Sequence, residues 1–303
     1  MPRLSLVLFA FPLILIACPP AKDSASGDDT GAAGPLDFTA VATEGAPLDA
    51  TPSADGAVIY FVGASGGMPA VFRVGDGAPT VLLSGDPLVA PQGLSLSPDD
   101  QTLYVADPGA SGGGAVLVLS ADGAVQDTVA VGLAPRGVHA TASGVIFTGL
   151  AEDGQPGVFE GVGGTVTALA TGAPLVDPDA VVQASDGAVY VTDTPRSPGE
   201  GQVIAVSAGA ASALATGLSL ADPAGLSITT DDSTLVVSAI NADSGQDEVL
   251  LMDRTTGAFS ATSAGIEGNT EGGGVHRAAD QNIWAWADLS AGSGGTVYRV
   301  NLH

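Results

Sequence analysis

Cysteine and basic residues are both scarce in this sequence. It contains one cysteine, so no disulfide can form within the chain, and its core must be stable through packing. Only 8 lysines and arginines stand against 33 aspartates and glutamates, which gives a net charge of −25 at pH 7. Such a charge repels phosphate backbones, so we expect no nucleic-acid partner.

Long apolar runs are also missing. The longest apolar segment extends from Leu4 to Ala17 and is interrupted by Pro12. It follows the single positive charge of Arg3. A helix that crosses a bilayer needs roughly 20 apolar residues. The run therefore predicts a secretory signal rather than a membrane-spanning helix.

The signal ends in Leu15-Ile16-Ala17-Cys18, which resembles the lipobox of bacterial lipoproteins. This resemblance implies cleavage before Cys18 and acylation of that cysteine, so acyl chains would anchor the protein to a membrane. Residues 1–17 are then a lipoprotein signal peptide, and we expect an extracytoplasmic location, in the outer membrane and periplasm or at the cell surface. Ordinary signal cleavage nearby is the alternative, but Leu15 departs from its small-residue pattern.

A polar spacer follows the cysteine. Between Pro19 and Pro35 there is no large apolar residue, so this stretch cannot bury enough surface to order itself. The sequence therefore predicts a flexible acidic linker over residues 18–36 and a folded domain over residues 37–303.

The folded domain lacks any long apolar pattern of helical period. Short β-branched runs separated by Gly and Pro predict an all-β fold. Six times, a polar turn precedes a run that contains one aligned large residue, at Tyr60, Tyr104, Phe147, Tyr190, Val236 and Trp284. The intervals are 44, 43, 43, 46 and 48 residues, a period typical of propeller blades. We therefore predict a six-bladed β-propeller of four-stranded blades.

The two ends of the domain are expected to meet in one blade. The last repeat stops at His303 after its third strand, while residues 37–44 precede the first repeat like an isolated fourth strand. We expect this N-terminal strand to complete the last blade with residues 273–303, which would close the ring. A sandwich would have no reason to repeat six times, and a membrane barrel needs longer strands.

Two repeats, Pro91–Asp107 and Pro178–Asp193, resemble blades of the gluconolactonase and regucalcin-like propellers. The resemblance implies a divalent cation, such as calcium, at the channel mouth. Its ligands in that family are a glutamate from an early Glu-Gly-Pro and the Asn or Asp of Pro-x-Gly segments. Glu44 and Asp179 match these ligand positions.

The predicted channel mouth carries four binding candidates, namely Gln92, Arg136, Asp179 and Glu271. In a further Pro-x-Gly segment, Ala224 occupies the x position. Arg136 places a permanent positive charge among the candidate metal ligands, which opposes a dication and suits an anionic ligand group. A salt bridge between Arg136 and Asp179 is the alternative interpretation.

The predicted channel mouth has few of the metal ligands that the resemblance implies. We therefore expect a non-catalytic binding or interaction module for an unidentified small molecule or protein. No catalytic residue is assigned. The alternative is a metal-dependent, lactonase-like hydrolase that uses Glu44 and Asp179, with Gln92 assisting.

Four further features carry expectations. His139 and His276 fall in the first strands of blades 3 and 6, where each either faces the channel or packs between blades. Trp284 and Trp286 share one face of a strand, so we expect them in the core between blades. The segment 241–248 has closely spaced oxygen ligands and could hold calcium loosely.

Overall fold

The computed structural model describes residues 36–195, 199–220, 223–263, 272–289 and 294–302. Within these ranges every regular element is a β-strand. The strands of the first half are β1 (Leu36–Ala42), β2 (Asp49–Pro52), β3 (Ile59–Ser65), β4 (Met68–Val74), β5 (Thr80–Ser84), β6 (Gly93–Leu96), β7 (Thr102–Asp107), β8 (Ala115–Ser120), β9 (Val125–Val129), β10 (Val138–Ala140), β11 (Val145–Leu150) and β12 (Pro156–Val162). Those of the second half are β13 (Thr165–Thr171), β14 (Pro178–Gln183), β15 (Val189–Asp193), β16 (Gly201–Ser207), β17 (Ala210–Leu218), β18 (Leu226–Ile228), β19 (Thr234–Ile240), β20 (Asp247–Asp253), β21 (Phe259–Ser263), β22 (Gly272–Arg277), β23 (Ile283–Asp288) and β24 (Thr296–Leu302).

These strands form six four-stranded antiparallel sheets, which confirms the predicted six-bladed propeller. Blades 1 to 5 each take four consecutive strands, beginning with β2, β6, β10, β14 and β18. The first strands of neighbouring blades contact one another around a closed ring, and β22 of blade 6 returns to β2 of blade 1. The first strands therefore surround a central channel.

The predicted closure is also confirmed. Blade 6 has the strand order β1-β24-β23-β22, so the N-terminal strand pairs with the C-terminal strand. Phe38 of β1 lies opposite Val300 of β24 in this antiparallel pair. The pairing covers the edge of β24 and joins the two ends of the folded domain in one sheet.

All six aligned large residues lie in second strands, as predicted, but two of them are offset by one residue. Ser95 pairs with Tyr104 in blade 2, whereas the equivalent His139 in blade 3 pairs with Ile146, so Phe147 lies one position further on. Because successive strand residues point to opposite faces, Phe147 faces away from the position that Tyr104 occupies. Blade 6 has the reverse offset, since Ala285 pairs with the equivalent histidine.

The glycines of the Pro-x-Gly segments are required by close packing between blades. A Cβ on Gly93 would collide with the carbonyl oxygen of Arg136, and one on Gly137 would collide with that of Asp179. Each collision is with the backbone of the next blade, which cannot move aside easily. Glycine at these positions therefore lets neighbouring first strands approach each other at this end of the channel.

The core lies between blades rather than in one central cluster. Between blades 5 and 6 it contains Trp284 and Trp286, each 1% exposed, which confirms that the two tryptophans belong to the core. Phe38 packs against the Trp286 ring with a centroid distance of 5.5 Å, so the N-terminal strand also contributes to this cluster. Large aromatic surfaces thus stabilise the blade that closes the ring.

Some sequence predictions lie outside the described residues. Cys18, the signal peptide and most of the linker fall within residues 1–35, and Glu271 falls within a second undescribed segment. These predictions stay predictions. Among the described residues, no helix is long and apolar enough to cross a membrane.

Candidate functional site: the central channel

The two ends of the channel differ in width. At the narrow end, where the first strands begin near Asp49 and Gly93, the enclosed cavity is only about 20 Å³. At the wide end, around the turns that join first and second strands, a cavity of about 500 Å³ opens. The binding mouth predicted from the sequence lies at the narrow end.

Gln92, Arg136 and Asp179 all line the narrow cavity, so the structure brings together the three predicted binding candidates that it describes. Gln92 and Arg136 also line an outer groove of about 340 Å³ that runs from blade 2 to blade 4. The Arg136 guanidinium donates from Nη1 to Asp177 Oδ1 at 2.6 Å, and its Nη2 lies 3.9 Å from Asp179 Oδ1. The expected ion pair with Asp179 therefore exists at longer range, while the closer carboxylate is Asp177.

Asp179 and Glu44, the predicted metal ligands, occupy different environments. Asp179 is 5% exposed, and its Oδ2 accepts a hydrogen bond from the Ala224 N–H at 2.6 Å, which links blades 4 and 5. Glu44 is exposed on the loop after β1. Among the described residues, no group of three His, Cys, Asp or Glu side chains is arranged to hold a metal ion. The calcium site at the mouth stays a prediction from resemblance alone.

The floor of the wide cavity is formed by one side chain from each blade. All six occupy the same register position in the pairing of first and second strands, and they are Thr51, Ser95, His139, Val182, Ser227 and His276. In blades 2 to 5 this position stands three residues after the x of the Pro-x-Gly segment or its equivalent. Reading the repeat with the two-residue period of a strand could have found this ring. Of these six residues, only His139 and His276 are among the candidates predicted from the sequence.

The floor hydroxyls are held by neighbouring backbone and side-chain donors. Thr51 Oγ1 accepts from the Leu96 N–H at 3.4 Å, and Ser95 Oγ accepts from the Ala140 N–H at 2.9 Å. Both contacts connect adjacent blades. Because a hydroxyl that accepts one bond still carries its proton, each can donate toward the cavity.

Ser227 completes the set of floor hydroxyls. Its Oγ accepts from Trp284 Nε1 at 3.1 Å, which fixes the indole of the blade 6 core. The hydroxyl proton again remains able to donate.

His276 is fixed by a buried carboxylate. Its Nε2 lies 3.1 Å from Asp49 Oδ2, which also accepts from the Leu94 N–H at 2.7 Å. The other oxygen of Asp49 accepts from the Ala50 N–H at 2.8 Å. Because an ionised carboxylate only accepts, Nε2 carries the proton and Nδ1 is left as the second polar atom of the ring.

His139 lies in the blade opposite His276 and has a different environment. Burial, followed by the nearby His276 and Arg277 side chains, lowers the pKa of His139 to about 3. The imidazole is therefore neutral at physiological pH and offers one N–H donor and one nitrogen acceptor. Within the described chain, this ring makes no hydrogen bond to protein, so both nitrogens are available to a ligand.

The rim of the wide cavity is acidic. Asp100 and Asp232 occupy turns there, and their carboxylates accept the N–H groups of Ala54 and Ser185 in the preceding blades, each at 2.8 Å. Both aspartates have positive φ, 60° and 58°, a conformation that Asp tolerates better than most residues. The rim thus places negative charge around the opening.

Arg277 is the one arginine that lines this cavity among the described residues. Its Nε donates to the Ile228 carbonyl at 2.6 Å, and its Nη1 donates to the carbonyls of Ala278 at 2.6 Å and Ala279 at 2.9 Å. The bond to Ile228 connects blade 6 to blade 5, and the three bonds together occupy much of the guanidinium. Burial lowers the pKa of Arg277 below its usual range.

In the segment 241–248, which the sequence suggested as a loose calcium loop, the oxygens of Asn241 and Glu248 bond within the turn. Asn241 Oδ1 accepts from the N–H groups of Asp243 and Ser244, and its amide donates to Glu248 Oε2 at 3.1 Å. The Asn241 side chain is thus engaged in the turn itself. Asp247, at the end of the segment, points into the protein and is 2% exposed.

Comparisons with known proteins support the fold. No family model and no curated protein matches this chain. A crystal structure of a nidogen–laminin complex matches at a TM-score of 0.61 and 17% identity, over 78% of this chain and 86% of that one. The PQQ-bound aldose sugar dehydrogenase of Streptomyces coelicolor matches at 0.59 and 12% identity, over 89% and 99%. At such identities the similarity shows the propeller fold alone.

A calcium-binding regucalcin from Agrobacterium tumefaciens is also similar, at a TM-score of 0.46 and 17% identity. The match covers 66% of this chain and 68% of that one. This similarity is too low to support the gluconolactonase and regucalcin-like assignment, which therefore stays a prediction.

Proposed function

We propose that this protein is a membrane-anchored, extracytoplasmic propeller that binds a small uncharged or cationic polar molecule in the wide cavity without altering it chemically. The anchor is the acylated Cys18 expected from the sequence. The observation that supports binding is the cavity itself, because about 500 Å³ lies within the range of about 300 to 1,000 Å³ found for small-molecule sites.

The floor favours a ligand that carries oxygen or nitrogen acceptors. Thr51, Ser95 and Ser227 each retain a hydroxyl proton, and neutral His139 adds one N–H donor. These donors come from four different blades, so they converge on the ligand from several directions. A polyhydroxylated or carbonyl-bearing molecule fits this arrangement.

The rim disfavours anionic ligands. Asp100, Asp232 and Asp280 surround the opening, and the whole chain has a net charge of −25. Arg277, the arginine described in this cavity, already donates to backbone carbonyls. The field at the opening therefore repels a carboxylate or phosphate and admits a neutral or cationic molecule.

The binding proposal is tested by thermal unfolding with a panel of small polyols, amines and carboxylates. We expect polyols or amines to raise the unfolding temperature and carboxylates to have no effect. His139→Leu should abolish the response, while Arg136→Gln, at the other end of the channel, should preserve it. If Arg136→Gln abolishes the response and His139→Leu keeps it, the ligand binds in the groove and the proposal is wrong.

The non-catalytic part of the proposal has a separate test. Purified protein is assayed for hydrolysis of simple lactones and esters with and without added calcium. We expect no activity above that of a heat-denatured sample. Calcium-dependent hydrolysis that is lost in Asp179→Asn would instead establish the lactonase-like alternative.

A further inference from the structure

Two aspartates from neighbouring blades meet in the core between blades 5 and 6. Val249 of β20 and Trp286 of β23 pack in this core. Asp247 lies two residues before Val249, and Asp288 lies two residues after Trp286. Because strand side chains alternate between faces, both carboxylates point into the same interface as their apolar neighbours.

The two carboxyl groups are buried and close together. Asp247 is 2% exposed and Asp288 is 0% exposed. The two side chains are close enough to interact, because Asp288 contributes to the raised pKa of Asp247. Among the described residues, no N–H or O–H group donates to either oxygen of Asp247. Burying an ionised carboxylate without hydrogen-bond donors destabilises the folded state. A second carboxylate beside it raises the free energy of ionising both groups further.

The other five blades have no carboxylate at the position of Asp247. The strand registers place proline or glycine there, at Pro69, Gly114, Pro156, Gly201 and Gly295. The propeller scaffold therefore has no need of an acidic side chain at this position. Asp247 is a special feature of blade 5.

Blades 2 and 4 show what a single aspartate does at the position of Asp288. Asp107 accepts the N–H groups of Val89 and Ala90, and Asp193 accepts those of Val176 and Asp177. In those blades the carboxylate holds a neighbouring loop through hydrogen bonds. In the preceding blades 1 and 3, the positions equivalent to Asp247 are Pro69 and Pro156, so no carboxylate pair forms.

We propose that Asp247 and Asp288 bind one hard divalent cation, of the calcium type, in the interface between blades 5 and 6. Thr296 pairs directly with Asp288 across β23 and β24 and is 6% exposed, so its hydroxyl is a suitable neutral oxygen ligand. Adjacent oxygens bound to calcium at about 2.3 to 2.6 Å stand roughly 3 Å apart, which agrees with the proximity of the two carboxyl groups. The cation would neutralise the pair and join blade 5 to the blade that closes the ring.

The test is calcium titration of the full chain by calorimetry at pH 7.5 after removal of metals by chelator. We expect the wild-type protein to bind one more calcium ion per chain than Asp247→Asn. Asp243→Asn removes the same charge from an exposed position of the same segment and should bind like wild type. Calcium at a hundred times its dissociation constant should shift the unfolding equilibrium of the wild type about 100-fold, with no such shift in Asp247→Asn.

Equal calcium stoichiometry in wild type and Asp247→Asn would overturn the proposal. A second pair of results would also overturn it: calcium does not stabilise the wild type, and Asp247→Asn is more stable than wild type at pH 8. These results would mean that the two carboxyl groups share a proton instead of binding a cation. Asp247→Gly introduces the residue found in blades 2, 4 and 6, and provides the same comparison if the asparagine variant does not fold.

Discussion

The neutral His139 imidazole on the channel floor has a measurable consequence for stability. Its pKa in the folded protein is lowered to about 3, whereas a histidine in the unfolded chain titrates near 6.5. Between these two values the unfolded chain binds one proton more than the folded chain. The stabilising effect of the neutral ring is therefore complete above pH 6.5 and is lost as the pH falls toward 3.

The size of this loss follows from the unfolded pKa. At pH 5, which is about 1.5 units below 6.5, protonation of the unfolded chain lowers the free energy of unfolding by about 2 kcal/mol relative to pH 7.5. The figure barely changes if the folded pKa lies anywhere below about 4. The prediction therefore depends on the direction of the shift more than on its size.

The assay compares wild type with His139→Asn, which has no titrating group at this position. Urea unfolding between pH 5.0 and 7.5 can be followed by the fluorescence of Trp284 and Trp286, the only two tryptophans of the chain. Burial and the adjacent Asp288 raise the pKa of Asp247 to about 6, which stabilises the folded state as the pH falls. Both proteins share that opposite effect, so it cancels in the difference between them.

We expect wild type to lose about 2 kcal/mol relative to His139→Asn when the pH is lowered from 7.5 to 5. Parallel stability curves for the two proteins over this range would refute the reasoning. They would mean that water in the wide cavity solvates the imidazole well enough for it to accept a proton in the folded state.

Two further predictions concern the ring closure and the anchor. Phe38→Ala, which removes the contact with the Trp286 ring, should lower the free energy of unfolding by about 2 to 3 kcal/mol, whereas Thr39→Ala, exposed on the same strand, should change it by less than about 0.5 kcal/mol. Equal effects in urea unfolding would show that β1 does not stabilise blade 6. Cys18→Ser should leave the folded domain intact but move the protein from the membrane to the soluble fraction after cell lysis, and a variant that still sediments with membranes would contradict acylation at Cys18.

The fold was predictable because its signals are local and repeated. Each blade has a polar turn followed by a β-branched run, and six copies made the count of blades reliable although each copy is weak. The closure was predictable for a different reason. Residues 37–44 formed a strand without a partner, and the last repeat had only three of its four strands, so pairing them completed the blade.

The register within blades was less accessible. The alignment on Phe147 and Trp284 placed both residues in the correct strand but one position away from the equivalent residues of the other blades. A large residue at either of two adjacent positions gives nearly the same pattern when both faces of a strand are buried. Only the pairing of His139 and His276 with their second strands distinguishes the two alternatives.

The location of the cavity depends on distances between blades, which no single repeat encodes. At the narrow end, Gly93 and Gly137 have no Cβ, so the backbones of adjacent first strands come into contact and leave almost no space. Two residues further along, Ser95 and His139 carry side chains, and the strands lie around an open cavity. Among the described residues, the wide cavity therefore lies on the side of the ring residues away from these glycines. The same glycines that made the repeat resemble a metal-binding mouth are the residues that close this end of the channel.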